Sequence, residues 1–592
     1  MACLVFASHS GALPVSEKKT LRYAFRVAES GFDPAKTDDR YSVGVMENIF
    51  EPLLTYDYLA RPVKVVAETA ISVPEPEAGG TIYTFHIKPG IYFADDPVFR
   101  GVKRELTARD YEYSIKRFRD PRVRSPDEFI FEGKIVGLDE LAKEAKRINK
   151  FDYDAEVEGL QVVDRYTLRI KLKVPDYNFL YVMAMPNVGA VAREIIEAYQ
   201  VDTNAHPVGT GPFKLVVWRR RSQIVLEKNP GYRGHFLETR YADENSEWDR
   251  AAINDLAGKP LPQLDRIEIG IIEEEQPRFL SFINKETDIL DETPFSFISQ
   301  VMPNNKLAPS LQKAGIRAYT DPQFELTYDY FNMDDPVVGG LSPDKIALRR
   351  AMVLGHNRDE EMRVIRKGQA LPAQSPVPPG VIGYDPTMNT SDYCDYNPAK
   401  AKALLDMYGY VDRNGDGFRE MPDGKPLIIK YYYASGTQEN RQLAELWSKS
   451  MAEIGIRVDT YPGQWADLLH DSKVGKLMMK SSAWIADYPD ADNFLQLLYG
   501  PNTGQSNDSR FRLPAFDRLY EKSIRLPPGP ERNAIYREMV RLTVAYAPWR
   551  FGVHRIYRHL IYPWVKGYKR HPILYTNFKY LDLDVAARKA AL

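Results

Sequence analysis

The stretch Ser482-Ala-Trp484-Ile-Ala-Asp487-Tyr488-Pro-Asp490-Ala-Asp-Asn-Phe494 carries the most usable chemistry in the chain. A carboxylate follows an apolar run and is flanked by aromatic residues. Where water is excluded, such a carboxylate makes strong charge-assisted hydrogen bonds to an ammonium group. Trp484 and Tyr488 supply the apolar walls that would exclude that water. On residue types alone a structural role competes: Asp487 as the cap of a helix starting near Asp490, with Trp484 in the core.

A second constellation is Asp412-Arg-Asn414-Gly-Asp416-Gly417. Its alternating oxygen side chains and sixth-position glycine match the start of a calcium loop, with Asp423 at the twelfth position. Asp is a shorter closing ligand than the usual Glu, and a strand follows instead of a second helix. Asn, Asp and Gly clusters also build plain turns, and the turn is the favoured reading, so no metal site is assigned.

The sequence contains no phosphate-binding glycine loop, no Gly-x-Ser-x-Gly elbow and no His-Glu-x-x-His motif. No two of the nine histidines stand at helical ligand spacing. With 81 acidic residues, coincidental carboxylate pairs are inevitable and signal nothing. Catalysis therefore has no positive support, and a secreted hydrolase stands only as the alternative from another class.

The bulk properties narrow the partners. Basic and acidic residues number 79 and 81, giving a formal net charge of −2, and no long basic run occurs. A reader of phosphate backbone needs a basic surplus on one face, so nucleic acid is not expected. No apolar run approaches the ~20 residues of a membrane helix. Two cysteines, Cys3 and Cys394, are too few for a zinc ribbon or a disulfide scaffold. Residues 1–15 read as the remnant of a signal peptide, with a short apolar run and small residues but no basic front. Cys3 lacks the upstream apolar context of a lipid anchor.

The elements that must hold these residues alternate between strand and helix. Leu21 to Phe25 and Thr81 to Lys88 alternate as half-buried strands, as does Thr167 to Leu172. Tyr41 to Leu54, Thr107 to Phe118 and Ala192 to Tyr199 have helical spacing; Thr107 and Asp110 form a capping-box pair. Phe129 to Glu156 reads as a charged, helical insertion. Gly209-Thr-Gly-Pro212 precedes a hairpin of Phe213–Val217 and Gln223–Lys228. Pro398 to Tyr408 is a helix closed by Gly409. Leu427–Tyr433, Thr437–Met451 and Arg457–Tyr461 make a strand–helix–strand unit. This mixture predicts an α/β architecture.

Several segments, in order from Leu21 to Tyr568, resemble the family 5 extracellular solute-binding proteins, the peptide- and nickel-type receptors of ABC importers. They are Thr81–Phe93 with Leu106–Arg117, Val208-Gly-Thr-Gly-Pro-Phe213 with Leu226–Tyr232, Tyr330-Phe-Asn332 with Leu348–Arg358 and Gly368, Asn397–Leu405, and Trp484–Asp490. The resemblance implies a two-lobed periplasmic-binding-protein fold (type II-like, cluster C) with an extra inserted domain. Lobe I is expected from residues 16–62, 187–321 and 521–592, the inserted domain from 63–186, and lobe II from 322–520.

By the same resemblance, Asp487 binds a ligand's free amino terminus with Trp484 beside it. Trp465 in Gly463-Gln-Trp465 is the aromatic that follows the turn, and Tyr41 and Ser42 match the region that pairs with extended peptide backbone. Two features depart from the oligopeptide receptors: Ser481 stands where they carry an arginine, and Asn440 where they carry a histidine. The amine anchor is retained while the carboxylate anchors are not matched. The implied function is the periplasmic, monomeric receptor of an ABC importer, capturing a peptide-like ligand by lobe closure and delivering it to an inner-membrane permease, without a cofactor. The same fold holding a haem, metal chelate, sugar or antibiotic-like molecule is the alternative.

Overall fold

The structure is a computed structural model and describes residues 17–592. The expected signal remnant and Cys3 lie outside the described residues. Strand Thr20–Phe25 turns its alternating Leu21, Tyr23 and Phe25 into a core. It pairs in parallel with Arg266–Ile271, which continues antiparallel into the hairpin Gln223–Lys228 and Phe213–Arg219. This four-stranded sheet lies within the segments expected for lobe I.

An inserted three-stranded sheet follows, ordered Ile82–His86, Thr167–Lys171, Leu160–Asp164. Helix Ala108–Phe118 buries Tyr111, Ile115 and Phe118 beside it. Its entry is set by Asp110, whose carboxylate accepts the Thr107 amide at 2.7 Å. Only the centre of the expected helical insertion is α-helix, Leu138–Ile148, bounded by left-handed Gly137 and Asn149.

The segment expected for lobe II carries strands Glu325–Phe331, Met479–Ile485, Ile428–Ala434 and Arg457–Gly463. The last two are parallel and joined by helix Gln438–Glu453, which buries Leu443, Leu446, Trp447 and Met451. Trp549–Ile561 joins the halves: its start pairs with Glu325–Phe331, its end with Arg317–Pro322 and Ile289–Leu290. The expected lobe boundary at 520/521 falls inside helix Pro514–Ser523. That helix is followed by Pro530–Tyr546, whose Tyr536 hydroxyl donates to Asp490 of lobe II at 2.8 Å. The chain crosses back along Trp549–Ile561.

One expected helix is shorter than its periodicity. Tyr41 to Leu54 is helical only over Arg40–Met46. Ile49 and Leu53 remain buried, yet the Asn48 and Ile49 carbonyls accept from Phe213 and Gly211. A Cβ on Gly209 would lie 2.0 Å from the Ile49 oxygen, so glycine is required there. Tertiary pairing with the Gly-Thr-Gly-Pro segment overrides the helix. No helix among the described residues is long and apolar enough to cross a membrane.

Candidate ligand-binding site

Strand Met479–Ile485 delivers Asp487 to the turn beyond its end, and the Ala486 amide still bonds the Phe324 carbonyl at 2.8 Å. Asn493, at the start of the next helical turn, then organises the segment. Its carbonyl oxygen accepts the Asp487 amide and the Trp484 indole N–H, each at 3.0 Å. Its own NH₂ donates to Asp487 Oδ2 at 2.9 Å. One side chain thus fixes both the carboxylate and the neighbouring ring, and Asp487 Oδ1 receives no side-chain or backbone donor among the described residues.

Asp487 does not cap the helix Asp492–Leu495: Ala491 stands at its N-cap without a side-chain bond, and Asp490 forms an Asx turn just before it, its Oδ1 accepting the Asp492 amide at 3.1 Å. Asp490 is buried and also holds Arg532. Asp487 and Asp127 form no ion pair among the described residues. Burial lifts Asp487 to about 6, with the Asn493 hydrogen bond acting the other way. Burial lifts Asp127 further, to about 7, helped by repulsion from Asp38 and Asp487. A carboxylate surrounded by protein and short of a counter-charge is primed for a cation.

Tyr488 lies parallel to Tyr181 of the inserted segment, with ring centroids 5.8 Å apart, and its hydroxyl donates to Asp492 at 2.6 Å. Burial pushes the Tyr56 and Tyr575 phenols up, and the Asp487 charge adds to it. The Tyr181–Tyr488 stack packs the segment that bears Asp487 against the segment that bears Tyr181.

Trp484, Asp487 and Tyr488 share this segment; the other expected residues do not join it directly. Trp465 starts helix Trp465–Lys473, is 49% exposed, and places its ring 4.9 Å from the buried Lys480 ammonium. Lys480 also donates to Ser472 at 3.0 Å, so part of the Trp465 ring serves an internal cation. Tyr41 and Ser42 lie in the first turn of helix Arg40–Met46, not before it, with their amides donating to Asp39. The Tyr41 hydroxyl accepts from Arg26 at 2.8 Å, and the buried Ser42 hydroxyl accepts the Ser30 amide at 2.9 Å.

At the positions where carboxylate anchors are missing, Asn440 donates to the Ala434 carbonyl of its own loop. Nearby arginines are occupied: Arg366 by Glu361 and Glu439, Arg555 by Glu325. Residue types alone did not single out Asn493 or Tyr181. Asn493 lies within the quoted stretch, but Tyr181 comes from a remote segment with no local signal.

In the calcium-like loop, Asp412, Asp416 and Glu420 bring one oxygen each within 4.8 Å. Those groups accept backbone amides: Gly415 and Gly417 on Asp412 (2.7 and 2.9 Å), Phe418 on Asp416 (2.8 Å) and Arg413 on Glu420 (2.7 Å). Asp423, expected as the closing ligand, pairs with Lys425 at 2.7 Å. These are the bonds of a turn.

Residues 64–506 match the family model described as bacterial extracellular solute-binding proteins, family 5 Middle. The chain belongs to that family, whose members are binding proteins. It is 26% identical to Di/tripeptide-binding protein 2 of Pseudomonas aeruginosa (strain UCBPP-PA14), covering 98% of both chains. It is 24% identical to Heme-binding protein A of Haemophilus influenzae, covering 96% of this chain and 93% of that one. Among solved structures, the periplasmic binding protein DppA from Helicobacter pylori in complex with peptide STSA superposes with a TM-score of 0.73 at 23% identity, over 95% and 98% of the two chains. HbpA2 from Haemophilus parasuis gives 0.70 at 21%, over 96% and 100%. These likenesses establish the two-lobed periplasmic-binding-protein fold.

Proposed function

We propose that the protein is the extracytoplasmic, monomeric receptor of an ABC importer. It captures a peptide-like ligand bearing a primary amine by lobe closure and hands it unchanged to an inner-membrane permease. The observation that carries this reading is Asp487: a carboxylate without a basic partner, held by Asn493 in the segment that the Tyr181–Tyr488 stack packs against the expected insertion. An ammonium there supplies the missing charge-assisted hydrogen bonds. Trp484, Tyr488 and the exposed part of Trp465 wall the cleft, with Tyr41 on its far side; Ser42, fully buried with its hydroxyl on the Ser30 amide, acts only by holding that turn in place. Relatives named for di- and tripeptides support an amine-bearing ligand.

The peptide's carboxyl end is less well provided for, since Ser481 and Asn440 are neutral and Arg366 and Arg555 are already paired with glutamates. "Peptide-like" is therefore the ligand class. Native mass spectrometry of protein purified without refolding tests it: a co-purified ligand with a free amine is expected, and one without an amine overturns the reading. Turnover of that ligand on incubation would instead mark an enzyme.

A further inference from the structure

One arginine ties the turn that bears Asp487 to two remote segments. Asp490, in that turn, accepts from Arg532, and from the Tyr536 hydroxyl at 2.8 Å. Arg532 and Tyr536 stand one turn apart on helix Pro530–Tyr546, so a single helix face presents both to the carboxylate. Asp490 and Arg532 are 0% and 1% exposed, an ion pair closed off from water. The turn is also fixed from behind: the Ile382 amide donates to the Pro489 carbonyl at 2.9 Å, and the Ala491 amide to the Ile382 carbonyl at 2.8 Å.

Arg532 reaches beyond this group. Its Nη1 donates at 3.3 Å to Asn178 Oδ1, which belongs to the segment expected as the insertion. Asn178 stands at the N-cap of Phe179–Val182, where an asparagine oxygen ordinarily accepts an amide of the first turn. Here it makes no such bond and receives Arg532 instead. Its backbone is held for the purpose: Asp176 Oδ1 accepts the Asn178 amide at 3.0 Å, while Oδ2 accepts from Lys134 at 2.8 Å. The same short helix carries Tyr181, whose ring lies parallel to that of Tyr488 within 3°. Two contacts, one aromatic and one polar, thus join the insertion to the turn of Asp487.

The polar contact is built to be released. Asn178 is neutral, so parting from it leaves Arg532 still paired with Asp490 and strands no buried charge. An ion pair in its place would resist opening.

We propose that Arg532 is a positioning residue of the ligand site. Through Asp490 it fixes the Asp487 turn, and through Asn178 it draws the insertion onto that turn, so that filling Asp487 and closing the insertion over it are one coupled step. The proposal rests on the amine-anchor reading above. Arg532 and Asn178 act through the turn, without touching the ligand.

Stopped-flow release of trialanine and of N-acetyl-trialanine, followed by tryptophan fluorescence, tests it together with melting curves of the ligand-free proteins. Asn178→Ala is expected to speed trialanine release about tenfold, the low end for a hydrogen bond to a charged group. Its ligand-free melting temperature stays at the wild-type value, because the contact belongs to the closed form. Arg532→Lys keeps a cation for Asp490 but lacks the fork that holds Asn178 as well. It also speeds release, and adding Asn178→Ala to it changes the rate no further. A wild-type release rate in Asn178→Ala overturns the proposal, as do additive effects in the double variant. A ligand-free melting temperature lowered by Asn178→Ala overturns it too, since that marks a merely structural contact. If wild-type protein binds N-acetyl-trialanine as tightly as trialanine, the amine-anchor reading fails, and the Asn178 rates still decide whether Arg532 closes the insertion. If neither peptide binds, both fall.

Discussion

Asn493 holds Asp487 by two hydrogen bonds, receiving the aspartate's amide at 3.0 Å and donating to its Oδ2 at 2.9 Å. The same carbonyl oxygen receives Trp484. Removing the amide frees the carboxylate to rotate and leaves a half-buried indole N–H without its acceptor. Leaving a buried polar group unsatisfied costs about 1–3 kcal/mol. Asn493→Ala is therefore expected to lower stability by about that much in denaturant titration and to weaken ligand binding in calorimetry. Asn493→Asp, which sets a like charge against Asp487, weakens binding further. Unaltered affinity in both variants would dissociate Asn493 from the site.

Asp487→Ala removes the anchor itself. Truncating one partner of a buried hydrogen-bonded charge pair costs about 2–5 kcal/mol of binding. Calorimetry with the co-purified ligand should show a loss in that range, mainly through faster dissociation. Retained affinity would remove Asp487 from the site.

Affinity should depend on pH with a defined sign. Asp487, raised to about 6 by burial, must be ionised to hold a cation. Binding is expected to plateau above neutrality and to weaken as pH falls through 6. In the ligand-free protein this shift and that of Asp127, raised to about 7, act oppositely. The folded state holds protons that the unfolded chain has released, so these groups contribute stability that is present near pH 5 and lost as pH rises through 7. Asp508, raised to about 6, and Asp492 and Glu51, each raised to about 7, act in the same direction. His356, His554 and His571, held neutral by burial, and His235, held neutral by the Lys579 charge and burial, act in the opposite direction. The test is therefore differential: in melting curves Asp127→Asn should raise the Tm more at pH 8 than at pH 5.5.

The neutral Ser481 and Asn440, and the pairing of Arg366 and Arg555 with glutamates, predict weak discrimination at the ligand's carboxyl end. A dipeptide and its C-terminal amide should bind within about the tenfold that 1.4 kcal/mol represents. A hundredfold preference for the free carboxylate would reveal an anchor elsewhere.

Tyr181 and Tyr488 stack between the inserted segment and lobe II. Aromatic pairs contribute about 0.5–1.5 kcal/mol beyond area burial. Tyr181→Ala should shift the lobes toward the open form and weaken ligand binding correspondingly, while Tyr181→Phe keeps the stack. Small-angle scattering of ligand-bound protein should show a larger radius of gyration for Tyr181→Ala only.

Much of the framework was legible locally. The alternation of Leu21–Phe25, the Thr107/Asp110 start of Ala108–Phe118, the hairpin after Gly209-Thr-Gly-Pro212 and the parallel pair around Gln438–Glu453 follow from short-range periodicity, capping and turn chemistry, which adjacent residues encode. The Trp484-to-Asp490 segment stood out for the same reason, because its aromatics and carboxylates are neighbours in the chain. Where partners came from far away, local reading stopped short. The helix ended at Met46 because carbonyls 48 and 49 turned to residues 213 and 211, and the path back to lobe I could not be located without the pairing of Trp549–Ile561. Tyr181 carries no local mark.

What the sequence by itself determined was the α/β character, the family and one carboxylate suited to an amine. The tertiary structure decided that Asp490 pairs with Arg532 and Tyr536, that Tyr488 stacks on Tyr181, and that the carbonyls of residues 48 and 49 turn to the Gly-Thr-Gly-Pro segment. Charge, burial and hydrogen-bond satisfaction there depend on distances between segments that are remote in the chain, from 42 residues for Asp490 and Arg532 upward. Only the folded chain sets those distances.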